Sequence, residues 1–224
     1  RAAQRTRAII EEAAAANAPA GTDARKIGDY YASFMDEAAI EAAGAAPLKP
    51  ELDRIAAIRT RTDLSRELGA SIRADVDALN ATDFYTDRFL GLWVAEDLND
   101  TTVYRPYLMQ GGLGLPDREY YLGSSARFTE IRAKYKAHIA QMLRLAGYSD
   151  PEARAARVVA LETAIARSHW TVDQTADVLK ANTVWTRAEL ARKAPGLDWD
   201  AFLSAAGLAD QPRFGAWQDS AIAG

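Results

Sequence analysis

The sequence predicts a mainly α-helical protein that carries one small β-hairpin. Apolar residues recur every three or four positions through most of the 224 residues, which is the spacing of an amphipathic helix. Residues 89–109 instead contain two β-favouring runs around a polar loop. A glycine-rich turn at 110–122 separates the hairpin from the helices that follow. Together these observations favour a multi-helix fold organised around that turn.

Composition limits the class of protein. At 49% hydrophobic residues the chain can bury a sizeable core, and we expect a single domain over residues 1–224. The net charge of −4, with basic residues dispersed among acids, gives no footprint for nucleic acid. No apolar run is long enough to predict a membrane span. Without cysteine, the chain can form neither a disulfide framework nor a thiolate metal site.

Four helices are expected before the hairpin. Their capping and breaking residues are Asp23, Gly44, Pro47, Pro50 and Thr62. The second helix carries an aromatic stripe that includes Tyr30, Tyr31 and Phe34, and this spacing is typical of a core-facing surface. Its acidic residues Asp36, Glu37 and Glu41 could be metal ligands, but Arg25 and Lys26 on the same helix favour a solvated face of ion pairs.

The hairpin is predicted by apolar runs at 89–95 and 103–109. Pro106 cannot donate a ladder hydrogen bond, so its strand is expected at a sheet edge. The acidic loop at 96–101 superficially suggests calcium, but it lacks the spacing and terminal glutamate of an EF-hand. Asn80-Ala81-Thr82 and Asn99-Asp100-Thr101 match the glycosylation triplet, which arises often by chance.

Residues 110–122 read QGGLGLPDREYYL and predict a tight turn. Glycines allow positive φ, Pro116 fixes its own φ, and Asp117 can cap a helical turn that follows. At least one of Gly112 and Gly114 is expected at positive φ. A phosphate cradle is disfavoured, because Leu115-Pro116 stands where a Walker motif needs Lys-Ser/Thr.

Helices are also expected after the turn. The first is capped by Ser124 or Ser125 and closed by Gly147; it pairs antiparallel with a second that runs from Asp150-Pro151 to about Trp170. A capping box, Thr186 to Glu189, starts a short helix, and another runs from Trp199 to Gly207. The tail at 209–224 has no clear periodicity.

Three stretches resemble, in order, the neprilysin and endothelin-converting-enzyme family of zinc endopeptidases. The turn is similar to that family's GLGLP-x-R-x-YY signature. Tyr31 to Glu41, followed by Gly44 and Pro47-Leu48, resembles its amino-terminal Y-x(5)-E-x-x-I-(E/D) helix. The run Leu161-Glu162, Ile165-Ala166, Trp185-Thr186 and Leu190 resembles a later family segment. Since mammalian members are disulfide-rich, the cysteine-free chain resembles a bacterial branch.

The resemblance implies a helical cap-type domain, the amino-terminal portion of a peptidase whose zinc lies in a separate catalytic domain. It implies the catalytic domain of the same polypeptide and oligopeptide substrates as partners, and a periplasmic or extracellular location. By this resemblance we expect the family's substrate-contacting arginine just before Arg1 and its Asn-Ala segment after Gly224. We therefore assign no catalytic, substrate-binding or metal-binding residue in this chain.

The chemistry itself is expected elsewhere. Such peptidases need His-Glu-x-x-His, in which two histidines one helical turn apart bind zinc and the glutamate activates water. The two histidines here, His138 and His169, are followed by Ile139 and Trp170 and lie far apart in sequence. Each is expected at the surface or satisfied by a local partner. The alternative function is a non-catalytic helical binding or scaffold protein that keeps this architecture.

A cap domain shares core-like faces with its catalytic partner. We therefore expect exposed apolar side chains in the tail and in part of the aromatic stripe. The tail residues concerned are Phe214, Trp217 and Ile222.

We predict that the 224-residue chain binds no zinc tightly, because it offers no thiolate and no histidine pair at the required spacing. Calorimetric titration with zinc should show no stoichiometric sub-micromolar site. Such a site, abolished by substitution of His138 or His169, would refute this prediction.

Overall fold

The computed structural model describes residues 1–76, 86 and 88–224. They form two compact units, residues 1–56 and residues 57–224. The mainly α-helical class is confirmed: helices predominate, and a small sheet lies in the second unit. The single domain over residues 1–224 stays a prediction. The triplet Asn80-Ala81-Thr82 lies outside the described residues.

The first unit contains four helices: α1 (Ala2–Ala15), α2 (Asp23–Met35), α3 (Glu37–Ala43) and α4 (Lys49–Ala56), with a 3₁₀ turn at Ala46–Leu48. Helices α1 and α2 touch at Gly28, where an added Cβ would lie 2.9 Å from the Ala13 carbonyl oxygen. The single helix predicted from Asp23 to Gly44 is interrupted at Asp36, whose carboxylate instead accepts the Ala39 N–H at 3.0 Å as the cap of α3. Thr22, not Asp23, caps α2.

The aromatic stripe of α2 is largely solvent-exposed. Tyr30 and Phe34 keep 78% and 70% of their surface, and Gly28 is the only buried residue among positions 1–56, all of which are described. The core-facing interpretation is therefore wrong for these two rings. The expectation that part of the stripe is bare is correct, because α1 and α2 meet through small residues at Gly28.

A four-stranded sheet organises the second unit. Strands β1 (Leu90–Asp97) and β2 (Asp100–Gln110) form the predicted hairpin, with Leu92 opposite Leu108. Strand β4 (Arg213–Ala216) pairs parallel to β2, and β3 (Val184–Thr186) pairs antiparallel to β4, giving the order β1-β2-β4-β3. Pro106 therefore does not mark an edge strand. It precedes Tyr107, where pairing with β4 begins, so no hydrogen bond across that side is lost.

Two helices cover the main core beside the sheet. They are α5 (Arg61–Ala70), capped by Thr60 rather than Thr62, and α12 (Trp199–Ala205). Their backbones meet so closely at Gly69 that a Cβ there would lie 2.9 Å from the Phe202 carbonyl carbon. The short α11 (Arg187–Lys193) follows the predicted capping box, which is confirmed. The buried core side chains include Leu92, Leu108, Leu190, Phe202, Leu203 and Phe214.

The tail is part of this core. Phe214, Trp217 and Ile222 are only 0%, 2% and 7% exposed, so the expectation that the tail is bare is wrong. Phe214 lies in β4, Trp217 packs its ring against Trp93 and Tyr107, and Ile222 lies in α13 (Asp219–Ala223). The tail is buried because its strand β4 pairs with β2. A search for helical periodicity does not detect a strand of this kind.

The remaining helices are α6 (Glu119–Leu122), α7 (Ala126–Leu145), α8 (Pro151–Ser168), α9 (Val172–Thr175) and α10 (Val178–Ala181). As predicted, α7 and α8 form a pair, Ser125 caps α7, and Gly147 closes the turn at φ +79°. Within the described part of the chain, no helix is both long and apolar enough to cross a bilayer.

We predict that Phe214→Ala lowers the free energy of unfolding by about 3–5 kcal/mol, because it empties a fully buried site. Phe34→Ala is the matched control and should change it by less than about 0.5 kcal/mol, since that ring is solvent-exposed. Urea unfolding followed by tryptophan fluorescence gives both values. Equal, small effects would show that the tail does not pack in the core.

Candidate functional site

The glycine turn after β2 depends on two glycines for different reasons. Gly112 has φ +80°, which confirms the expected positive φ and favours glycine. Gly114 lies outside that region, but an added Cβ would overlap the Tyr135 hydroxyl and lie 2.8 Å from Cζ of the same ring. The first glycine is thus required by backbone conformation and the second by space.

A hydrogen-bonded group ties the turn to the helix pair. The Tyr121 hydroxyl accepts the Leu115 N–H at 2.9 Å and donates to Glu162 Oε2 at 2.8 Å. The Tyr135 hydroxyl donates to Glu162 Oε1 at 3.0 Å. We call Tyr121, Tyr135 and Glu162 the carboxylate clasp. It joins α6, α7 and α8 beneath the turn.

The electrostatics of the carboxylate clasp keep both phenols protonated. Burial, followed by the hydrogen bond to Glu162, raises the pKa of Tyr121 far above its ordinary value. Burial and the negative charge of Glu162 raise the pKa of Tyr135 to about 12. Neither hydroxyl ionises near neutral pH, so both remain hydrogen-bond donors to Glu162.

The end of the turn is fixed by Asp117 and Arg118. Asp117 Oδ1 accepts the N–H of Glu119, the first residue of α6, at 2.7 Å, although the N-cap position of that helix is Arg118 and not Asp117 as predicted. Arg118 Nε donates to the Ala166 carbonyl at 3.4 Å, a weak contact to the last turn of α8. The turn and the Leu161–Ala166 segment, about 45 residues apart in sequence, are therefore in direct contact.

The two histidines occupy different environments. His138 is exposed on α7. His169, only 8% exposed, follows α8, and its Nε2 lies 3.0 Å from the Gly111 carbonyl oxygen. Since a carbonyl only accepts, Nε2–H is the donor and Nδ1 carries the lone pair of the neutral ring. Burial and then the nearby Arg118 charge lower the pKa of His169, opposed by the Gly111 bond.

A cavity of about 260 Å³ opens beside His169 under the turn. Apolar atoms of Leu113, Leu115, Pro116, Val172 and Ala176 line much of it. Its polar lining comes from Thr86, Gln110, Gly111, Asp117, His169 and Thr175. The cavity is smaller than a typical drug-sized pocket and could hold one small group.

Two glutamines fix the wall of this cavity and were not found from the sequence. Gln218, fully buried, accepts the Gln110 N–H at 2.9 Å, and Gln110 Oε1 accepts the Trp170 N–H at 2.8 Å. The tail thereby reaches the end of β2. Nothing local in the sequence marks this contact, because its partners are 108 residues apart.

The acidic groups considered as metal ligands have local protein partners or solvent. Asp36 caps α3, while Arg25 and Lys26 pair with Asp29 and Asp23 rather than with the predicted acidic cluster. In the hairpin loop, buried Asp97 pairs with Arg105. Among the described residues no group of three His, Cys, Asp or Glu side chains is placed to hold a metal ion.

Comparison with known proteins shows the family. The model of the amino-terminal portion of "Peptidase family M13" matches residues 1–222. The chain belongs to peptidase family M13. Human endothelin-converting enzyme 1 is 26% identical over 183 residues, which cover 80% of this chain and 23% of that protein. Mouse endothelin-converting enzyme-like 1 is 28% identical over 186 residues, covering 81% and 24%.

Solved structures agree with the family assignment. Mycobacterium tuberculosis zinc metalloprotease Zmp1 in complex with an inhibitor superposes with a TM-score of 0.78 at 33% identity, covering 98% of this chain and 32% of Zmp1. Its open state gives 0.77 at 34% identity, covering 99% and 33%. The chain thus spans about a quarter to a third of these relatives and corresponds to the amino-terminal portion of the family, as the sequence predicted.

We predict that both turn glycines are needed for stability and that their effects separate in a double-mutant cycle. Gly112→Ala should cost about 1 kcal/mol or more because of its positive φ. Gly114→Ala should cost about 1–3 kcal/mol, because it displaces Tyr135 from Glu162.

Tyr135→Phe removes the hydroxyl that the new methyl group would strike. In that background the cost of Gly114→Ala should fall by at least about 0.5 kcal/mol, whereas that of Gly112→Ala should not change. Gly196→Ala is the control, since a Cβ there meets nothing within 4 Å. Chemical denaturation measures all variants; additive effects of Gly114→Ala and Tyr135→Phe would contradict the clasp geometry.

We also predict a pH dependence that belongs to His169. Folding lowers the pKa of His169, so the unfolded chain binds a proton at this imidazole more readily than the folded chain does. The neutral ring of His169 therefore contributes its full share of the free energy of unfolding above the unfolded pKa of about 6.5. That contribution is lost as the pH falls below this value. Between about pH 7.5 and pH 5, His169→Gln should lose less unfolding free energy than the parent. His138→Gln, at an exposed site, should behave as the parent; a parent-like slope in His169→Gln would refute the assignment.

Proposed function

We propose that this chain is the amino-terminal cap region of a zinc metalloendopeptidase that hydrolyses oligopeptides. The match to the family model over residues 1–222 carries this proposal. The similarity of almost the whole chain to a zinc metalloprotease, at a TM-score of 0.78, supports it. Zinc, peptidase activity and peptide substrates are proposed for this chain only because of its similarity to these relatives.

In this function the chain supplies architecture and not chemistry. The described side chains that the family resemblance singles out, such as Tyr121, Glu162, Trp185 and Leu190, bond to one another or lie in the core. The carboxylate clasp holds the α7–α8 pair against the glycine turn, so that this wall keeps its shape when peptides enter or leave. Zinc and its activated water would come from the catalytic domain of the same polypeptide, in a periplasmic or extracellular setting.

The alternative is a helical binding or scaffold protein that keeps the same architecture without catalysis. The self-contained core of residues 57–224, which buries even the tail, supports this possibility. The two proposals differ in what the gene encodes beyond Gly224. A continuous frame with His-Glu-x-x-His favours the peptidase, and a stop codon favours the scaffold.

The decisive experiment compares the complete gene product with the 224-residue chain. We expect the complete product to contain stoichiometric zinc by elemental analysis and to cleave a fluorogenic oligopeptide, and the 224-residue chain to do neither. A substitution of the motif glutamate by glutamine should abolish cleavage while zinc is retained. A gene product with no zinc and no cleavage would overturn the peptidase proposal.

A further inference from the structure

His169, which lines the cavity under the glycine turn, has an unused hydrogen-bond acceptor among the described residues. His169 Nε2 donates to Gly111, and Nδ1 has no hydrogen-bond partner among the described residues. Nδ1 is not among the fully enclosed side-chain atoms of the described residues that make no hydrogen bond, so it remains open to a small molecule. A buried ring with a free lone pair beside a cavity is a directed acceptor.

A donor stands on the same cavity wall. Thr175, also buried, accepts a long 3.5 Å bond from Gln218 Nε2, and its own hydroxyl hydrogen has no acceptor among the described residues. Its backbone carbonyl is already used by the Trp217 indole at 3.1 Å. Within this lining, His169 thus offers an unused acceptor and Thr175 an unused donor.

Charge restricts the chemistry of the occupant. The positive charge of Arg118 lies close enough to His169 to lower the pKa of that ring, and the same charge disfavours a bound cation. The Asp117 carboxylate lines the cavity and disfavours a bound anion. The volume of about 260 Å³ admits a small molecule but not a drug-sized one.

We propose that this cavity binds a small uncharged molecule of the primary amide class, with its N–H donated to His169 Nδ1 and its carbonyl accepting from Thr175. Its short apolar part would lie against Leu113, Val172 and Ala176. This site is independent of the proposed peptidase function, since it uses only residues of this chain and no metal.

Propionamide is the probe, and the imidazole nitrogens of the histidine-labelled 224-residue chain are the readout. In the free protein His169 should show a bare Nδ1 and a protonated Nε2. Propionamide should shift the His169 signals saturably, with a dissociation constant of roughly 1 mM, as expected for so small a ligand. His138, exposed on α7, is the internal control and should not respond.

Matched ligands and variants test the geometry. N,N-dimethylpropionamide, which lacks the N–H, should bind about 2- to 10-fold more weakly. Ala176→Leu should fill the cavity and abolish the shift, while Ala133→Leu, at an exposed position of α7, should not. Thr175→Val should weaken binding by a similar factor.

Four outcomes would overturn the proposal: a protonated Nδ1 in the free protein, no saturable response to propionamide, equal binding of both amides, or full binding by Ala176→Leu.

Discussion

The arrangement of the second unit depends on the hydrogen bonds that the Glu162 carboxylate accepts. This carboxylate accepts hydrogen bonds from Tyr121 on α6 and Tyr135 on α7, and Tyr121 in turn holds the Leu115 N–H of the turn. Three helices and one turn therefore share a single acidic group. Two charge-assisted bonds in a partly buried setting are stronger than bonds at the open surface, so the turn cannot shift without breaking them.

The sheet imposes the second constraint. Strand β4 comes from the tail and pairs with β2 at Tyr107 and Leu108, close to where the glycine turn begins. Gly215 makes this pairing possible, because a side chain there would overlap the Tyr107 ring. The tail then continues to Gln218, which binds the Gln110 backbone. The tail is thereby joined to the end of β2 beside the cavity.

These contacts give the family resemblance a physical meaning. The glycine turn and the segment at Glu162–Ala166 look like separate motifs in the sequence, yet they form one packed site. The residues that resemble the family most closely in the second unit therefore maintain shape.

The sequence by itself determined the mainly helical class, the α7–α8 pair, the hairpin, the capping box at Thr186, the positive φ of Gly112 and the family, because these depend on residues near in sequence or on recognisable motifs. The break between α2 and α3 and the short helices α9, α10 and α13 were not predicted. Tertiary structure decided the rest. Strands β3 and β4 are three and four residues long, too short for a periodic signal, and exist only through pairing. The burial of Trp217 and the contact between Gln218 and Gln110 likewise required the folded chain, since they join residues about 110 positions apart and local propensity carries no information on such a distance.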